Sequence, residues 1–105
     1  MLIDINLDKE GYLLDLSQWT PELAEKIAQQ EDLILTDDHW EIILLLRRFY
    51  KKYELSPAMR PLVKAVTKEL GSEKGRSIYL MKLFPGSPPK LAAKIAGLPK
   101  PANCI

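Results

Sequence analysis

The sequence predicts an α+β domain dominated by helix, in which an N-terminal β-hairpin or small meander packs on about five helices. Apolar residues flank a glycine-containing turn near the N-terminus, and helix-start signals followed by helically spaced apolar residues fill the middle. Two prolines follow the last glycine and favour an extended path. A chain of 105 residues can enclose one hydrophobic core. We therefore expect one globular domain over residues 1–97 and a flexible, extended arm over residues 98–105.

The hairpin is predicted from the segment MLIDINLDKEGYLLDLSQW. Apolar side chains lie on both sides of a turn at residues 8–11: Leu2, Ile3, Ile5 and Leu7 before it, and Tyr12, Leu13 and Leu14 after it. Gly11 can adopt the positive φ that a tight hairpin turn often requires. The pattern predicts two short antiparallel strands, and the imperfect alternation leaves their register open.

The first two helices are predicted from their N-terminal signals. Thr20 is expected to cap the first, with Pro21 at a position where a missing N–H costs no hydrogen bond. Thr36 is expected to cap the second, where Asp37 and Asp38 face the positive end of the helix dipole. The apolar residues of the second helix have helical spacing: Ile42, Leu45, Leu46, Phe49, Tyr50 and Tyr53. We expect it to be the central helix.

A third helix is predicted over residues 56–70. Ser56 is the expected cap, Pro57 the first position and Gly71 the left-handed end. Pro61 would remove one backbone hydrogen bond from such a helix, which indicates that the regular part begins nearer Arg60.

Two shorter helices complete the domain. The fourth is expected over residues 75–84, before the Pro-Gly pair at 85–86. The fifth is expected from Pro89 to about Ala96, with Gly97 as the residue that ends it. Beyond this glycine, Pro99 and Pro101 prevent helix and favour an extended arm.

The charges are unevenly distributed along the chain, whose formal net charge is +1. Residues 1–55 hold 6 Lys/Arg and 12 Asp/Glu, a net charge of −6, whereas residues 56–105 hold 9 and 2, a net charge of +7. A basic half favours a polyanionic or acidic partner, but small domains also segregate charge without any partner.

The composition is typical of a cytoplasmic protein. The longest apolar run, residues 42–46, is far shorter than the roughly 20 residues that cross a bilayer. The N-terminus has no basic flank and carries Asp4, unlike a secretory signal. One cysteine cannot form an internal disulfide, so nothing indicates an oxidising compartment.

No pattern indicates a metal centre, a cofactor site or a catalytic triad. His39 is the one histidine, so neither zinc-ligand spacing nor a Ser–His–Asp arrangement can be assigned. We expect His39 to pack or hydrogen-bond in the first turn of its helix, and Trp19 and Trp40 to be core residues. The sequence therefore predicts no cofactor and no metal.

Cys104 is the candidate for chemistry because it is the one cysteine and follows the two prolines of the arm. Free cysteines are usually buried and inert, whereas a thiol in this position is expected to be exposed. At about 3.1 Å per residue, the arm from Gly97 to Cys104 reaches roughly 20 Å, enough to enter the cleft of another protein. The residues alone leave two interpretations open, a swinging-arm sulfur carrier and an accidental surface cysteine.

A helix-turn-helix nucleic-acid binder is an alternative from a different class. Residues 40–70 form two predicted helices joined by the short turn LSPA, as in that motif. The second half of the first of these helices also carries a basic face: Arg47, Arg48, Lys51 and Lys52. Such helix pairs are common in helical domains, so this alternative stays open.

Three segments of the chain resemble the DsrC/TusE family. KIAGLPKPANCI, preceded by YLMKLFPGSPPKLAA, resembles the family's C-terminal arm, DDHWEIILLLRRFYKKYELSPAMRPLVKAV its central segment, and EGYLLDLSQW its N-terminal hairpin. DsrC proteins of dissimilatory sulfur metabolism carry a second arm cysteine eleven residues before the last one, and Ala93 stands at that position here. The single-cysteine pattern is similar to the TusE branch, which serves tRNA 2-thiouridine synthesis. A DsrC-like subunit of dissimilatory sulfite reductase is the alternative within the family, and Ala93 argues against it.

The resemblance implies a sulfurtransferase that acts stoichiometrically in a relay. It implies that Cys104 accepts a persulfide sulfur from a TusBCD-type complex, through its TusD subunit. An MnmA-type tRNA thiouridylase then takes the sulfur for the wobble uridine of its tRNA. The expected arm and partner contacts are Gly97, Pro99, Lys100, Pro101, Lys94 and Lys90. These lysines and the basic face suit a partner surface or bound tRNA, although a solvated surface explains each of them equally well.

Overall fold

The computed structural model describes residues 7–101, and over this range the protein is built from helices. A short 3-10 helix, Leu16–Gln18, is followed by five α-helices: α1 Pro21–Gln30, α2 Asp37–Tyr53, α3 Met59–Leu70, α4 Ser77–Leu83 and α5 Pro88–Ile95. The expected number of helices is therefore confirmed. None of the helices within residues 7–101 is both long and apolar enough to cross a membrane.

The predicted α+β class, with its N-terminal β-hairpin or small meander, is wrong. Leu2, Ile3 and Ile5 of the first predicted strand lie outside the described residues. Between residues 7 and 101 there is no strand, and a single antiparallel bridge joins Leu7 to Leu13. The turn between them is present, and Gly11 has the expected positive φ of 91°.

Two aspartates shape the chain around and after the bridge through local hydrogen bonds. The Asp8 carboxylate accepts the backbone N–H groups of Glu10 and Tyr12, at 2.8 and 2.9 Å, so the turn closes on a side chain. Asp15 then accepts the Ser17 N–H and caps the 3-10 helix only two residues after the bridge. Local side-chain hydrogen bonds of this kind compete with strand pairing. Hydrogen bonding from Ser17 also lowers the pKa of Asp15.

Helix α5 is the centre of the domain, although the sequence favoured α2. It packs against each of the other four α-helices. Its small residues Ala92 and Ala93 are fully buried, which lets its neighbours approach closely. The arm therefore starts from the most enclosed helix of the protein.

Helices α1 and α2 begin where the sequence predicted. The Thr20 hydroxyl accepts the backbone N–H of Leu23 at 3.1 Å. At the start of α2, Nδ1 of the buried His39 accepts the Thr36 backbone N–H at 3.0 Å, and its Nε2 lies 2.7 Å from the Leu83 carbonyl oxygen. This assigns the proton to Nε2 and fixes His39 as a packed, hydrogen-bonded residue of the first turn, as expected.

Helix α3 begins later than its expected cap. Its first residue is Met59, after Ala58 as the N-cap, so Pro61 falls in the first turn. The N–H groups of the first turn have no partner within the helix, so Pro61 costs no hydrogen bond there. Ser56, released from capping, binds the C-terminal arm. Helix α4 likewise begins at Ser77, two residues after the expected position.

Candidate functional site

The candidate site is the base of the C-terminal arm, where α5 ends. Gly97 has a φ of 72°, and the N–H groups of Gly97 and Leu98 bond to the carbonyl oxygens of Lys94 and Ala93, at 3.2 and 2.9 Å. This is the pattern of a Schellman motif, which needs a left-handed residue such as glycine. The chain turns sharply here, and the side chain of Leu98 is only 2% exposed. The predicted role of Gly97 in ending the helix is confirmed.

Trp19 and Arg47 both hydrogen-bond to backbone carbonyl groups at the end of α5. The Trp19 indole Nε1 donates to the Ile95 carbonyl oxygen at 2.9 Å, and the Arg47 guanidinium donates to the Ala96 carbonyl oxygen at 2.6 Å. The two side chains also support each other, because Arg47 Cζ lies 3.9 Å from the centre of the Trp19 ring. They satisfy carbonyl groups that a helix end leaves without partners. We call these two side chains the α5 clamp.

The charge of Arg47 suits its place in the α5 clamp. A cation near the C-terminus of a helix interacts favourably with the helix dipole. Partial burial lowers the pKa of Arg47, but guanidinium stays protonated at every physiological pH. Arg47 was predicted as part of an outward basic face, and the structure gives it a partner inside the protein.

The first residues of the arm lie on the domain. The Ser56 hydroxyl donates to the Pro99 carbonyl oxygen at 2.7 Å, and the Lys100 ammonium lies 3.0 Å from the Glu10 carboxylate. Pro101 is buried. Cys104, the expected reactive residue, lies outside the described residues. A chain extends at most about 3.6 Å per residue, so its Cα lies within about 11 Å of the Pro101 Cα.

The two other lysines expected to contact partners lie beside the arm. Lys94 pairs with Glu31 at 3.2 Å, and its ammonium lies 5.4 Å from the centre of the Tyr12 ring. The Lys90 carbonyl oxygen accepts the Tyr12 hydroxyl at 3.2 Å. Together with Lys100, these lysines border a shallow groove of about 260 Å³.

The expected basic face is divided by the structure. Arg48 pairs with Glu69 at 2.7 Å, whereas Lys51 and Lys52 are exposed. A groove of about 690 Å³ lies between this face and the base of the arm. Its lining is partly apolar and partly charged: Leu16, Leu44, Arg47, Arg48, Tyr50, Lys51, Glu54 and Leu98. A protein that binds here would touch the arm directly.

Ala93 occupies a site that is closed to solvent. It is fully buried in α5, and its carbonyl oxygen accepts the N–H of Leu98. The resemblance places the second cysteine of two-cysteine relatives at this position.

Sequence reasoning missed three residues that hold the arm. Trp19 was expected only in the core, Ser56 was expected to cap α3, and Glu10 was not considered. The pairing of Ser56 and Glu10 with the arm spans more than forty residues of sequence, so no local pattern reveals it. Pro61 was the one usable signal for Ser56. It favoured a start of α3 later than Ser56, as the structure shows at Met59, and so indicated that Ser56 does not cap the helix.

Arg47→Ala is predicted to destabilise the protein by about 2 kcal/mol, the usual contribution of a hydrogen bond to a charged group. The change leaves the Ala96 carbonyl oxygen unsatisfied and removes the contact with Trp19. Arg48→Ala is the matched control, because its ion pair with Glu69 is largely exposed and such pairs contribute less than about 1 kcal/mol. Urea unfolding of both variants measures the difference. Equal destabilisation by the two changes would show that Arg47 does not support the helix end.

A family model described as "DsrC like protein" matches residues 3–105, and the chain belongs to this family. It is 53% identical over 103 residues to the "Sulfurtransferase TusE homolog" of Haemophilus influenzae, covering 98% of this chain and 94% of that protein. It is 52% identical over 101 residues to "Sulfurtransferase TusE" of Pectobacterium atrosepticum, covering 96% and 93%.

Solved structures agree with this assignment. The chain superimposes on DsrC of Allochromatium vinosum, determined by NMR, with a TM-score of 0.89 and 48% identity, covering 100% of this chain and 96% of that one. The oxidized gamma-subunit of dissimilatory sulfite reductase (DsrC) from Archaeoglobus fulgidus gives a TM-score of 0.83 and 40% identity, covering 96% and 92%. The family resemblance and the expected sulfurtransferase activity, that of a carrier in a sulfur relay, are thereby confirmed.

Proposed function

We propose that this sulfurtransferase carries sulfur as a persulfide on Cys104 and acts in the cytoplasm. The observation that carries the proposal is the position of the one cysteine, three residues beyond an arm segment that Ser56, Glu10 and the α5 clamp hold against the domain. About 50% identity to TusE sulfurtransferases over nearly the whole chain supports the same role.

The loading step is an exchange of sulfur between thiols. The Cys104 thiolate attacks the outer sulfur of a donor persulfide, the donor S–S bond breaks, and the donor leaves as a thiolate. Cys104 then carries the persulfide, and the proton of the outer sulfur is transferred together with that sulfur. The Cys104 sulfur is formally oxidised as the donor cysteine sulfur is reduced, so the exchange is neutral overall and needs no external oxidant, reductant or cofactor. Its rate depends on the thiolate fraction and on access to the attacked sulfur.

The relay that fits this chemistry has a donor and an acceptor. We propose a TusBCD-type complex as the donor, acting through its TusD subunit, and an MnmA-type tRNA thiouridylase as the acceptor. The sulfur ends on the wobble uridine of the acceptor's tRNA. In the acceptor step a thiolate of the acceptor attacks the outer sulfur of the Cys104 persulfide, and Cys104 is regenerated as a thiolate. The groove of about 690 Å³ beside the arm is the proposed contact surface for these proteins.

The buried Ala93 supports a single-thiol carrier over a subunit that cycles through an internal disulfide. With one cysteine in the chain, no internal disulfide can form. A disulfide-based partner of sulfite reductase would need a second thiol within reach of Cys104.

Intact-protein mass spectrometry after incubation with a persulfide-loaded donor tests the proposal. We expect a mass gain of one sulfur atom, removed by a reducing agent and localised by digestion to the peptide that contains Cys104. Donor without bound sulfur is the control. A gain of mass on any other peptide, or none with an active donor, would refute the role of Cys104.

A further inference from the structure

A third groove lies between α2 and α3, and Arg48 borders both this groove and the larger one beside the arm. Its volume is about 480 Å³, within the range of pockets that hold small ligands. Four basic side chains line it, Arg48 and Lys52 on α2 and Lys64 and Lys68 on α3. Each pair is spaced i, i+4, so both members lie on one face of their helix. We call this surface the α2/α3 groove.

Cations without an ion pair occur at several places within residues 7–101, including Lys9, Lys26 and Lys51, but three of them share the α2/α3 groove. Outside the α2/α3 groove, Lys74, Lys94 and Lys100 each bind a carboxylate, of Glu41, Glu31 and Glu10 respectively. Inside it, Arg48 pairs with Glu69 at the groove's edge. Lys52, Lys64 and Lys68 form no ion pair with any other residue in the range 7–101. Three ammonium groups in one groove are therefore left to bind anions.

Aromatic rings form part of the same surface. Phe49 and Tyr53 lie on adjacent turns of α2 with their ring centres 4.6 Å apart, and Tyr53 is 52% exposed. The Lys52 ammonium lies 5.3 Å from the centre of the Tyr53 ring. An exposed ring beside cations is the combination that proteins use to bind single-stranded nucleic acid, with bases stacked on the ring and phosphates on the cations.

We propose that the α2/α3 groove binds an unpaired segment of RNA. Lys52, Lys64 and Lys68 bind its phosphates, and Tyr53 stacks with a base. The choice of RNA rests on the proposed function, whose acceptor holds a tRNA. The half-exposed Tyr53 ring favours RNA over an acidic protein segment, which would use the lysines but not the exposed part of the ring. Duplex nucleic acid is disfavoured because its bases are already stacked on each other.

The test uses the full chain and a fluorescein-labelled single-stranded oligouridylate, with binding followed by anisotropy. The groove variant is Lys52→Ala/Lys64→Ala/Lys68→Ala, and its matched control, with the same change of net charge, is Lys9→Ala/Lys26→Ala/Lys82→Ala at exposed positions elsewhere. We expect the groove variant to bind at least tenfold more weakly and the control to change affinity by less than about threefold. Losing three phosphate contacts should also reduce the slope of log K against log salt by about 2.

Tyr53→Ala tests stacking separately from charge. Loss of one base–aromatic stack weakens binding by about fivefold or more, and this loss should persist at high salt. Equal weakening by the groove and control variants would overturn the proposal, as would tighter binding of a duplex of matched length. The proposal would also be overturned if the groove substitutions abolished binding of an acidic peptide and left RNA binding unchanged.

Sulfur loading separates this inference from the proposed function. The groove variant should still accept one sulfur atom from a persulfide-loaded donor, because Cys104 is unchanged. If the unaltered protein accepted no sulfur while the groove variant lost RNA binding, the carrier role would be refuted and the RNA-binding role of the groove would be supported. If the protein loaded sulfur normally but the groove substitutions left RNA binding unchanged, the carrier role would be supported and the RNA-binding role of the groove would be refuted.

Discussion

Cys104→Ser is expected to reduce the 2-thiouridine content of cellular tRNA to the level of a strain that lacks the protein. A persulfide forms only on sulfur, and a serine hydroxyl is neither a comparable nucleophile nor able to hold the transferred atom. The effect is therefore a loss of transfer rather than a slower rate. Nucleoside analysis of tRNA from a strain with the altered chromosomal copy measures it.

The same substitution should leave the fold intact. Within residues 7–101, the contacts that hold the arm lie between Gly97 and Pro101. We therefore expect Cys104→Ser to change the free energy of unfolding by less than about 0.5 kcal/mol, the usual limit at a surface position. Asn103→Ser is the matched control, because it alters the arm next to the thiol and should preserve thiolation. Normal thiouridine in the Cys104→Ser strain would end the proposal that Cys104 carries the sulfur.

Gly97→Ala is expected to destabilise the protein strongly through the addition of a single methyl group. An alanine at a φ of 72° is strained by about 1–2 kcal/mol. Its Cβ would also overlap the Trp19 indole at Cδ1, which displaces a side chain of the α5 clamp. Overpacking of this kind typically adds 1–3 kcal/mol. We therefore expect about 3 kcal/mol of destabilisation in total, a large part of the 5–15 kcal/mol that stabilises a typical domain.

Gly86→Ala separates the two contributions. Gly86 has a φ of 91°, and a Cβ there would meet no atom within 4 Å. It should cost only the backbone strain, about 1–2 kcal/mol. Urea unfolding of the two variants side by side isolates the contact with Trp19. If the two substitutions destabilised the protein equally, the indole would not be packed against Gly97 in solution.

The helices were predictable where the signal is local. Thr20 and Thr36 cap through contacts within a few residues, so the sequence places α1 and α2 correctly. The hairpin was mispredicted because an alternating apolar pattern was treated as sufficient. The Asp8 carboxylate accepts the N–H groups of Glu10 and Tyr12, a side-chain contact that an apolar pattern does not reveal.

The reactive residue of the candidate site was predictable from the sequence, but the contacts that attach the arm to the domain were not. The position of Cys104 after two prolines is visible in the sequence, and so is the end of α5 at Gly97. The attachment of the arm depends on Trp19, Arg47 and Ser56, which come from three distant parts of the chain. Helical spacing grouped Arg47 with an outward basic face because spacing cannot tell which neighbour a long side chain reaches.

The docked segment at residues 98–101 has a consequence for the order of events in the relay. While Pro101 stays in place, the Cys104 Cα cannot leave a sphere of about 11 Å around the Pro101 Cα. In the proposed relay, the active sites of donor and acceptor would both have to reach the Cys104 sulfur within this short radius. The donor would then have to leave before the acceptor binds, and the two half-reactions would follow a ping-pong sequence.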